Sequence, residues 1–219
     1  MGVKEYYEKY WQDKLPSDIK FFGGHPKPGD ADQNFRVIAK WVKPGVDVLD
    51  YGCGEGYLVA KLKANGYGAI GVDISETALK LASEKFPSCL FAGVGSHTSY
   101  YGGIGKVDAI VSFDVLEHIF DFDEIFDFLD KHLKKGGTLI ITTNEIGFCK
   151  LVIIATFFLD TFFHPYSPHI RFFTRNSLQR LLEKKGYEVI HYERRRNYFG
   201  IISEAQTVVA KKLYGIYFS

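Results

Sequence analysis

The chain has 219 residues, 46% of them hydrophobic and 24% charged, with a net charge of +1. That length buries the core of one domain, residues 1–219, and the near-neutral balance gives no electrostatic case for nucleic acid or an anionic membrane surface. Three cysteines without metal-ligand spacing, a start at residues 1–6 with no apolar core, and no run near the ~20 apolar residues of a spanning helix point to a cytoplasmic protein without a transmembrane segment.

Residues 4–12, rich in Tyr and Trp, predict a short helix ahead of the breaker run Phe22-Gly23-Gly24-His25-Pro26-Lys27-Pro28-Gly29. Asp30 or Asp32 then caps a helix over 33–42, which Pro44-Gly45 stops. The first strand, 46–51, carries Asp50 near its end; glycines follow at 52, 54 and 56, and a helical pattern opens at Tyr57. The second strand, 68–73, ends on Asp73, and Ser75 caps a helix running to Phe86. Strands over 89–92, 107–113 and 138–143 follow, with a helix over 121–133 and the turn Lys135-Gly136-Gly137 before the fifth strand. Thr174 caps a helix over 175–185 that Gly186 ends, and strands over 187–192 and 207–212 close the chain. This alternation predicts a mostly parallel sheet with helices on both faces. The last two strands have no helical pattern between them and pair antiparallel.

A strand, a glycine turn, a helix and a second strand tipped with a carboxylate describe half of a nucleoside-cofactor site. Without a Cβ, the glycines let the loop backbone touch a ligand and take positive φ. The helix starting near Glu55 points free N–H groups toward a ligand carboxylate. Asp73 is placed to accept both hydroxyls of a ribose. The bland alternatives are a ligand-free tight turn and a helix-capping Asp73, although Ser75 already offers that cap.

Four segments carry a family resemblance: Asp50-Tyr51-Gly52-Cys53-Gly54-Glu55-Gly56, Gly71-Val72-Asp73-Ile74-Ser75, the stretch from Asp108 to Ile119, and Leu133-Lys134-Lys135-Gly136-Gly137-Thr138-Leu139-Ile140-Ile141. Their order and spacing resemble the class I S-adenosylmethionine-dependent methyltransferases over nearly the whole chain. The resemblance implies a three-layer, Rossmann-like α/β fold, its seven-stranded sheet mostly parallel with the last strand inserted antiparallel. It implies S-adenosyl-L-methionine as cofactor, bound by Asp50, Gly52, Cys53, Gly54, Asp73 and Ile74, with Val94 beside adenine and Phe113 beside the methionine tail. One segment departs from the pattern. Where relatives often carry an acid for the adenine amine, the chain reads Ala92-Gly93-Val94-Gly95-Ser96-His97, which leaves backbone groups and the Ser96 side chain.

A sulfonium methyl donor is already activated, so such an enzyme mainly aligns the acceptor in line and excludes water. A hydroxyl acceptor also gains from losing its proton, and His118 and His169 are the candidate catalytic residues. Asp114, Glu117 and His118 sit at i, i+3 and i+4, on one face if helical. With His169 they form a two-carboxylate, two-histidine set for a divalent ion, similar to that of small-RNA 2′-O-methyltransferases and ubiquinone-pathway O-methyltransferases. The competing reading, adopted as the expectation, is a helix N-cap at Asp114 with Glu117 as its reciprocal partner and no metal. The histidines at 25, 97, 132, 164 and 191 read as surface or packing residues, and Arg194-Arg195-Arg196 as a solvated strand end.

Residues 147–173 form a substrate-cover insertion, with an apolar run from Leu151 to Leu159. It reads as a lid over an apolar or lipid-linked acceptor or a segment resting on a membrane surface, and equally as a buried crossover helix or a homodimer contact. Tyr6, Tyr7, Tyr10 and Trp11 either cap the cofactor's open side or simply pack. The expected activity is methyl transfer to a small-molecule acceptor, at oxygen. A cofactor-binding regulator without turnover stays open. A nicotinamide-dependent oxidoreductase is disfavoured by the G-x-G-x-G spacing and by the little chain left for a hydride acceptor.

Overall fold

A computed structural model describes residues 2–13, 28–95, 104–163, 169–196 and 203–213. Seven strands, β1 (Asp47–Tyr51), β2 (Gly68–Asp73), β3 (Leu90–Gly93), β4 (Val107–Phe113), β5 (Leu133–Asn144), β6 (Tyr187–Arg196) and β7 (Ser203–Lys212), form one sheet of order β3-β2-β1-β4-β5-β7-β6. The pairs among β1 to β5 are parallel, and β7 runs antiparallel between β5 and β6. The helices are α1 (Val3–Trp11), α2 (Pro28–Trp41), α3 (Tyr57–Ala64), α4 (Glu76–Lys85), α5 (Phe122–His132), α6 (Phe148–Phe157), α7 (Leu159–Phe162) and α8 (Arg175–Lys184).

Strand alternation produces the three layers. Leu49, Ile110, Ile141 and Val208 pack with Ile125, Leu129, Leu178 and Leu182 of α5 and α8. Their chain neighbours Val48, Ala109, Ile140 and Val209 pack with Ile38, Leu58 and Leu62 of α2 and α3. Successive residues of a strand face opposite sides, so a sheet covered on both faces reads as a continuous apolar run. Apolar runs of that kind mark the central strands here.

The caps at Ser75, Asp121 and Thr174 accept hydrogen bonds from amides in the first turns of α4, α5 and α8: Ala78 N, Asp123 and Glu124 N, and Ser177 N. Four boundaries differ from expectation by four or five residues: β6 runs on from 192 to Arg196, β7 starts at Ser203 rather than at 207, and α2 and β5 both begin early. Helix α2 starts at Pro28, five residues early, because proline suits a first helical position, where its missing N–H is not needed. Asp30 therefore lies in the first turn, and Asp32 pairs with Lys61 at 2.6 Å. Strand β5 begins at Leu133, ahead of the glycine turn. That turn survives as a bulge, in which pairing jumps from Val107↔Leu133 to Ala109↔Thr138 around Gly136 at φ 71.

Helix α6 overturns the buried-crossover alternative. Of its residues only Ile154 is buried, while Phe148 and Phe157 are 82% and 74% exposed. Leu151, Val152, Phe158, Leu159 and Phe163 continue this exposed apolar face. None of the helices among the described residues is long and apolar enough to cross a membrane.

Candidate active site

The C-terminal ends of β1, β2, β4 and β5 open into one cavity of about 660 Å³. Asp50, Gly52, Cys53, Gly54, Asp73, Ile74, Val94 and Phe113 all line it, and so do His118 and His169. Ser96 and His97 lie outside the described residues, as do His25 and His164.

The glycine loop takes its shape from backbone freedom that only glycine has. Gly52 sits at φ 84, where an added Cβ would lie 2.3 Å from Val115 Cγ2. Gly56 is left-handed at φ 78, immediately before α3. The amides of Gly52 and Cys53 donate to the Val72 carbonyl at 2.8 and 3.0 Å, which ties the loop to β2. Asp73 completes the tie: Oδ2 accepts from Gly54 N and Oδ1 from Ser75 N, each at 2.9 Å. Burial raises the Asp73 carboxyl, against the pull of those amides. Asp50, 4% exposed, is pushed up to about 7 by burial and then by the Asp73 charge.

The acceptor side forms where the chain leaves β4. Asp114 takes φ 55, a left-handed conformation that a short polar side chain tolerates. It is therefore neither on a helical face with Glu117 and His118 nor a cap; the short 3-10 turn Leu116–His118 starts after Val115, with no side-chain cap. Surrounding protein and the Glu117 charge push Asp114 up to about 6, against Arg195 and His118. Half of its side chain (52%) faces the open cavity, where water screens that shift.

Glu117 is fully buried and well used. Thr143 Oγ1 donates to its Oε2 at 2.7 Å and Asn144 Nδ2 to its Oε1 at 3.2 Å, while burial raises its carboxyl. Its main-chain carbonyl accepts from Ile170 N and Arg171 N at 3.0 and 3.1 Å, which draws His169 beside the turn. The rings of His118 and His169 stand 4.8 Å apart, and Tyr7 from α1 meets His118 edge-on at 5.8 Å. His169 lies 3.5 Å from Asn144 Nδ2, and its pKa falls to about 4 through burial, then His118 and Lys150. Ligand atoms of Glu117, His118 and His169 lie within 4.8 Å of one another; Asp114 does not join them.

Several cavity residues were not singled out from the sequence: Asn34 and Ala31 of α2, and Asn144 at the end of β5; Arg195, read there as part of a solvated strand end, lines the cavity too. Arg194 is not simply solvated. Its Nη2 and Nε reach the buried Glu145 carboxylate at 2.7 and 2.8 Å, beside the Tyr192 hydroxyl at 3.0 Å. Arg195, next in the strand, lines the cavity 4.0 Å from Asp114. Period-two alternation already says that adjacent arginines face opposite ways, a signal available in the sequence. The early aromatics Tyr6, Tyr7, Tyr10 and Trp11 all line the cavity, whereas His169 is the sole lining residue from 147–173 among those described.

A family model described as a methyltransferase domain matches residues 7–192. The chain is 28% identical, over 80% of its length and 68% of the relative's, to a protein of Mycolicibacterium smegmatis described as a "probable S-adenosylmethionine-dependent methyltransferase". It is 26% identical to the ubiquinone biosynthesis O-methyltransferase of Thiobacillus denitrificans, over 66% of this chain and 65% of that one. The chain thus spans about two thirds of the length of these curated relatives. Among solved structures, magnesium protoporphyrin IX methyltransferase from Synechocystis, with bound S-adenosylhomocysteine, superposes with a TM-score of 0.68 at 18% identity, over 96% of this chain and 98% of that one.

Proposed function

The chain belongs to the class I S-adenosylmethionine-dependent methyltransferase family, and from that premise we propose that it methylates an oxygen of a small-molecule acceptor, with His118 taking the acceptor's proton. The observation that carries this reading is one cavity holding the Gly52–Gly54 loop and Asp73 at one side and the His118–His169 pair at the other.

The residues present fit the cofactor. Each Asp73 oxygen accepts one amide, which leaves each a further lone pair for a ribose hydroxyl. A buried carboxylate next to the second carboxylate of Asp50 also calls for donors and positive charge. Asp73 and Ile74 would hold the ribose, Val94 would lie against adenine, and Asp50, Gly52, Cys53, Gly54 and Phe113 would border the methionine portion. When bound, the cofactor supplies a methyl carbon on a positively charged sulfur, already activated for displacement. The chain's own task is then to bring an acceptor oxygen in line, keep water out and take up a proton. Burial holds His169 neutral at physiological pH, and the Asn144 amide near its Nε2 occupies it as a hydrogen-bond acceptor. That leaves His118, braced between His169 and Tyr7, as the proton acceptor.

The exposed apolar face of α6 and α7, which precedes His169 in the chain, supports an apolar or lipid-linked acceptor; a homodimer would cover the same face. The composition supports a cytoplasmic setting. The test is S-adenosylhomocysteine production with a panel of hydroxylated and amine acceptors. His118→Ala should lower turnover of a hydroxylated acceptor about 100-fold, in the range of a lost general base. Turnover of amines alone, or an indifferent His118→Ala, refutes the reading. Full-length protein that binds the cofactor and methylates nothing would instead be a regulator.

A second reading is favoured by the clustering of Glu117, His118 and His169. The hydroxyl of Thr143 and the amide of Asn144 donate to Glu117, as partners of metal-bound carboxylates commonly do. These three residues would hold a divalent ion that orients an acceptor oxygen. Turnover unchanged after complete chelation rejects it.

A further inference from the structure

We propose that Glu8 is a positioning residue, whose carboxylate grips the first amides of α4, holds α1 across the cavity and sets how long an adenosyl ligand is retained. This rests on the cofactor reading above.

A helix leaves its first N–H groups without intrahelical partners. In α4 the Ser75 hydroxyl takes the Ala78 amide at 3.2 Å, which leaves the amides of Glu76 and Thr77. Glu8, 68 residues earlier in the chain, takes both. Glu76 N donates to its Oε1 at 2.6 Å and Thr77 N to its Oε2 at 3.2 Å. The Thr77 hydroxyl adds a third bond to Oε2 at 2.6 Å. A carboxylate from another helix thus completes the cap, where the helix dipole favours negative charge and hydrogen bonds to an ion are strongest. Although burial opposes it, these donors hold the Glu8 carboxyl below its usual range, so it stays ionised at neutral pH. The Lys4–Glu76 ion pair at 2.7 Å joins the same two helices but is largely exposed and adds little.

The grip lies between what α1 presents to the cavity and what β2 presents. On α1, Tyr7 and Trp11 flank Glu8 at i−1 and i+3; Tyr7 packs on His118 and Trp11 is buried. On the other side, α4 follows Asp73-Ile74-Ser75 directly, and Ser75 N is itself held by Asp73 Oδ1. The ligand's carboxylate anchor and the amides gripped by Glu8 therefore belong to one hydrogen-bonded turn. Loss of the grip leaves α1 held by side-chain packing, the exposed ion pair and the exposed hydrogen bond from Gln12 Nε2 to the Thr77 hydroxyl at 3.3 Å, and opens that side of the cavity.

The test uses the full chain in a Trp41→Phe background, which leaves Trp11 the sole tryptophan. Release of S-adenosylhomocysteine is followed by stopped-flow fluorescence, and hydrogen exchange of the 3–11 amides is measured without ligand. Glu8→Ala should speed release about 10-fold, the scale of a lost cap strengthened by charge. Glu8→Gln, which keeps an acceptor without the charge, should fall between. Exchange in α1 should rise while exchange in β1, β4 and β5 stays slow. Wild-type release from Glu8→Ala, or unchanged α1 exchange, overturns the proposal. If Glu8→Ala does not fold, Thr77→Val removes the hydroxyl's bond to Glu8 together with the one it accepts from Gln12, and should move both readouts the same way by a smaller factor but further than Gln12→Ala does; no movement beyond that of Gln12→Ala refutes the grip. Failure of the unaltered protein to take up the thioether breaks the cofactor reading instead, and the ligand-free exchange still judges the grip.

Discussion

Asp50→Asn should make the ligand-free protein more stable, by an amount that grows with pH. Burial, then the Asp73 charge, raises the Asp50 carboxyl from 3.8 to about 7. The native state thus binds this proton more tightly than the unfolded chain does, so the contribution to stability is full below pH 4 and is lost as pH rises to 7. Roughly 3 pH units at about 1.4 kcal/mol each give about 4 kcal/mol of native-state cost once the group is ionised. Asparagine fills the same volume without the charge, and its neutrality also relieves Asp73. The variant should therefore gain about 2 kcal/mol over wild type between pH 5.5 and 7, then keep a constant advantage at higher pH. For a chain of this length that is a relative shift of roughly 4–8 °C in thermal midpoint. Urea denaturation at half-unit pH steps reads the difference directly, and other titrating groups largely cancel between the two proteins. In wild type, a ligand bringing positive charge should ionise Asp50 and release a proton, so affinity for S-adenosylmethionine should rise through pH 7, and lose that rise in Asp50→Asn. A stability difference that is flat in pH, or a variant less stable than wild type at pH 8, refutes the argument.

Asp73→Asn should weaken S-adenosylhomocysteine binding about 100-fold or more by calorimetry, since two hydrogen bonds to a charged acceptor at roughly 1.5 kcal/mol each are lost. The same change turns one side-chain donor toward the Gly54 or Ser75 amide, which a wild-type affinity would contradict. Gly52→Ala should cost about 2–4 kcal/mol in urea denaturation, from left-handed strain plus the collision with Val115. Adding Val115→Ala should recover the collision part and leave about 1–2 kcal/mol of strain; full recovery would show that φ at this position costs nothing.

The fold was legible in the sequence wherever the signal is local. Ser75 and Thr174 each precede a helix and take an amide of its first turn, so cap and helix lie within four residues of one another. The pairs Val48-Leu49 and Ala109-Ile110 announce strands covered on both faces, because both neighbours in each pair had to be apolar. Pro28-Gly29 misled because proline reads as a breaker in a helix interior and as a starter at its first position; the sequence alone leaves that choice to what precedes it. The mostly apolar α6 misled for a different reason. Composition says that such a helix wants covering, and among the described residues most of its apolar side chains are exposed. The site divides in the same way. The glycine loop and Asp73 are adjacent to their elements and stood out. Glu8 and Asn144 acquire their places through α1 docking on α4 and through the register Asn144↔Ala205↔Arg195, pairings that no spacing encodes, whereas for Arg195 alternation gave the facing but not the neighbour.

Four of the carboxylates along this cavity share a direction that none of them shows alone. Asp50, Asp73, Asp114 and Glu117 are all shifted toward the neutral form, each chiefly by burial, and Asp50 and Asp114 further by a neighbouring carboxylate. Arg195 is the sole lysine or arginine among the described lining residues, and it stands 4.0 Å from only one of them. Asp73 and Glu117 have structural hydrogen bonds to explain them, but among the described residues no hydrogen bond of this kind offsets the cost of ionising the buried Asp50. On the cofactor reading proposed above, a cationic ligand with hydroxyl and ammonium donors would supply what Asp50 and Asp73 lack. It would offset their repulsion and satisfy their lone pairs, so the electrostatic strain between them would be released on binding and appear as affinity. The same accounting explains why Asp114 stands apart from the metal-type cluster. At φ 55 it faces the open cavity, close to where charge on an acceptor would be felt, while Glu117 is sealed beneath the histidines by Thr143 and Asn144.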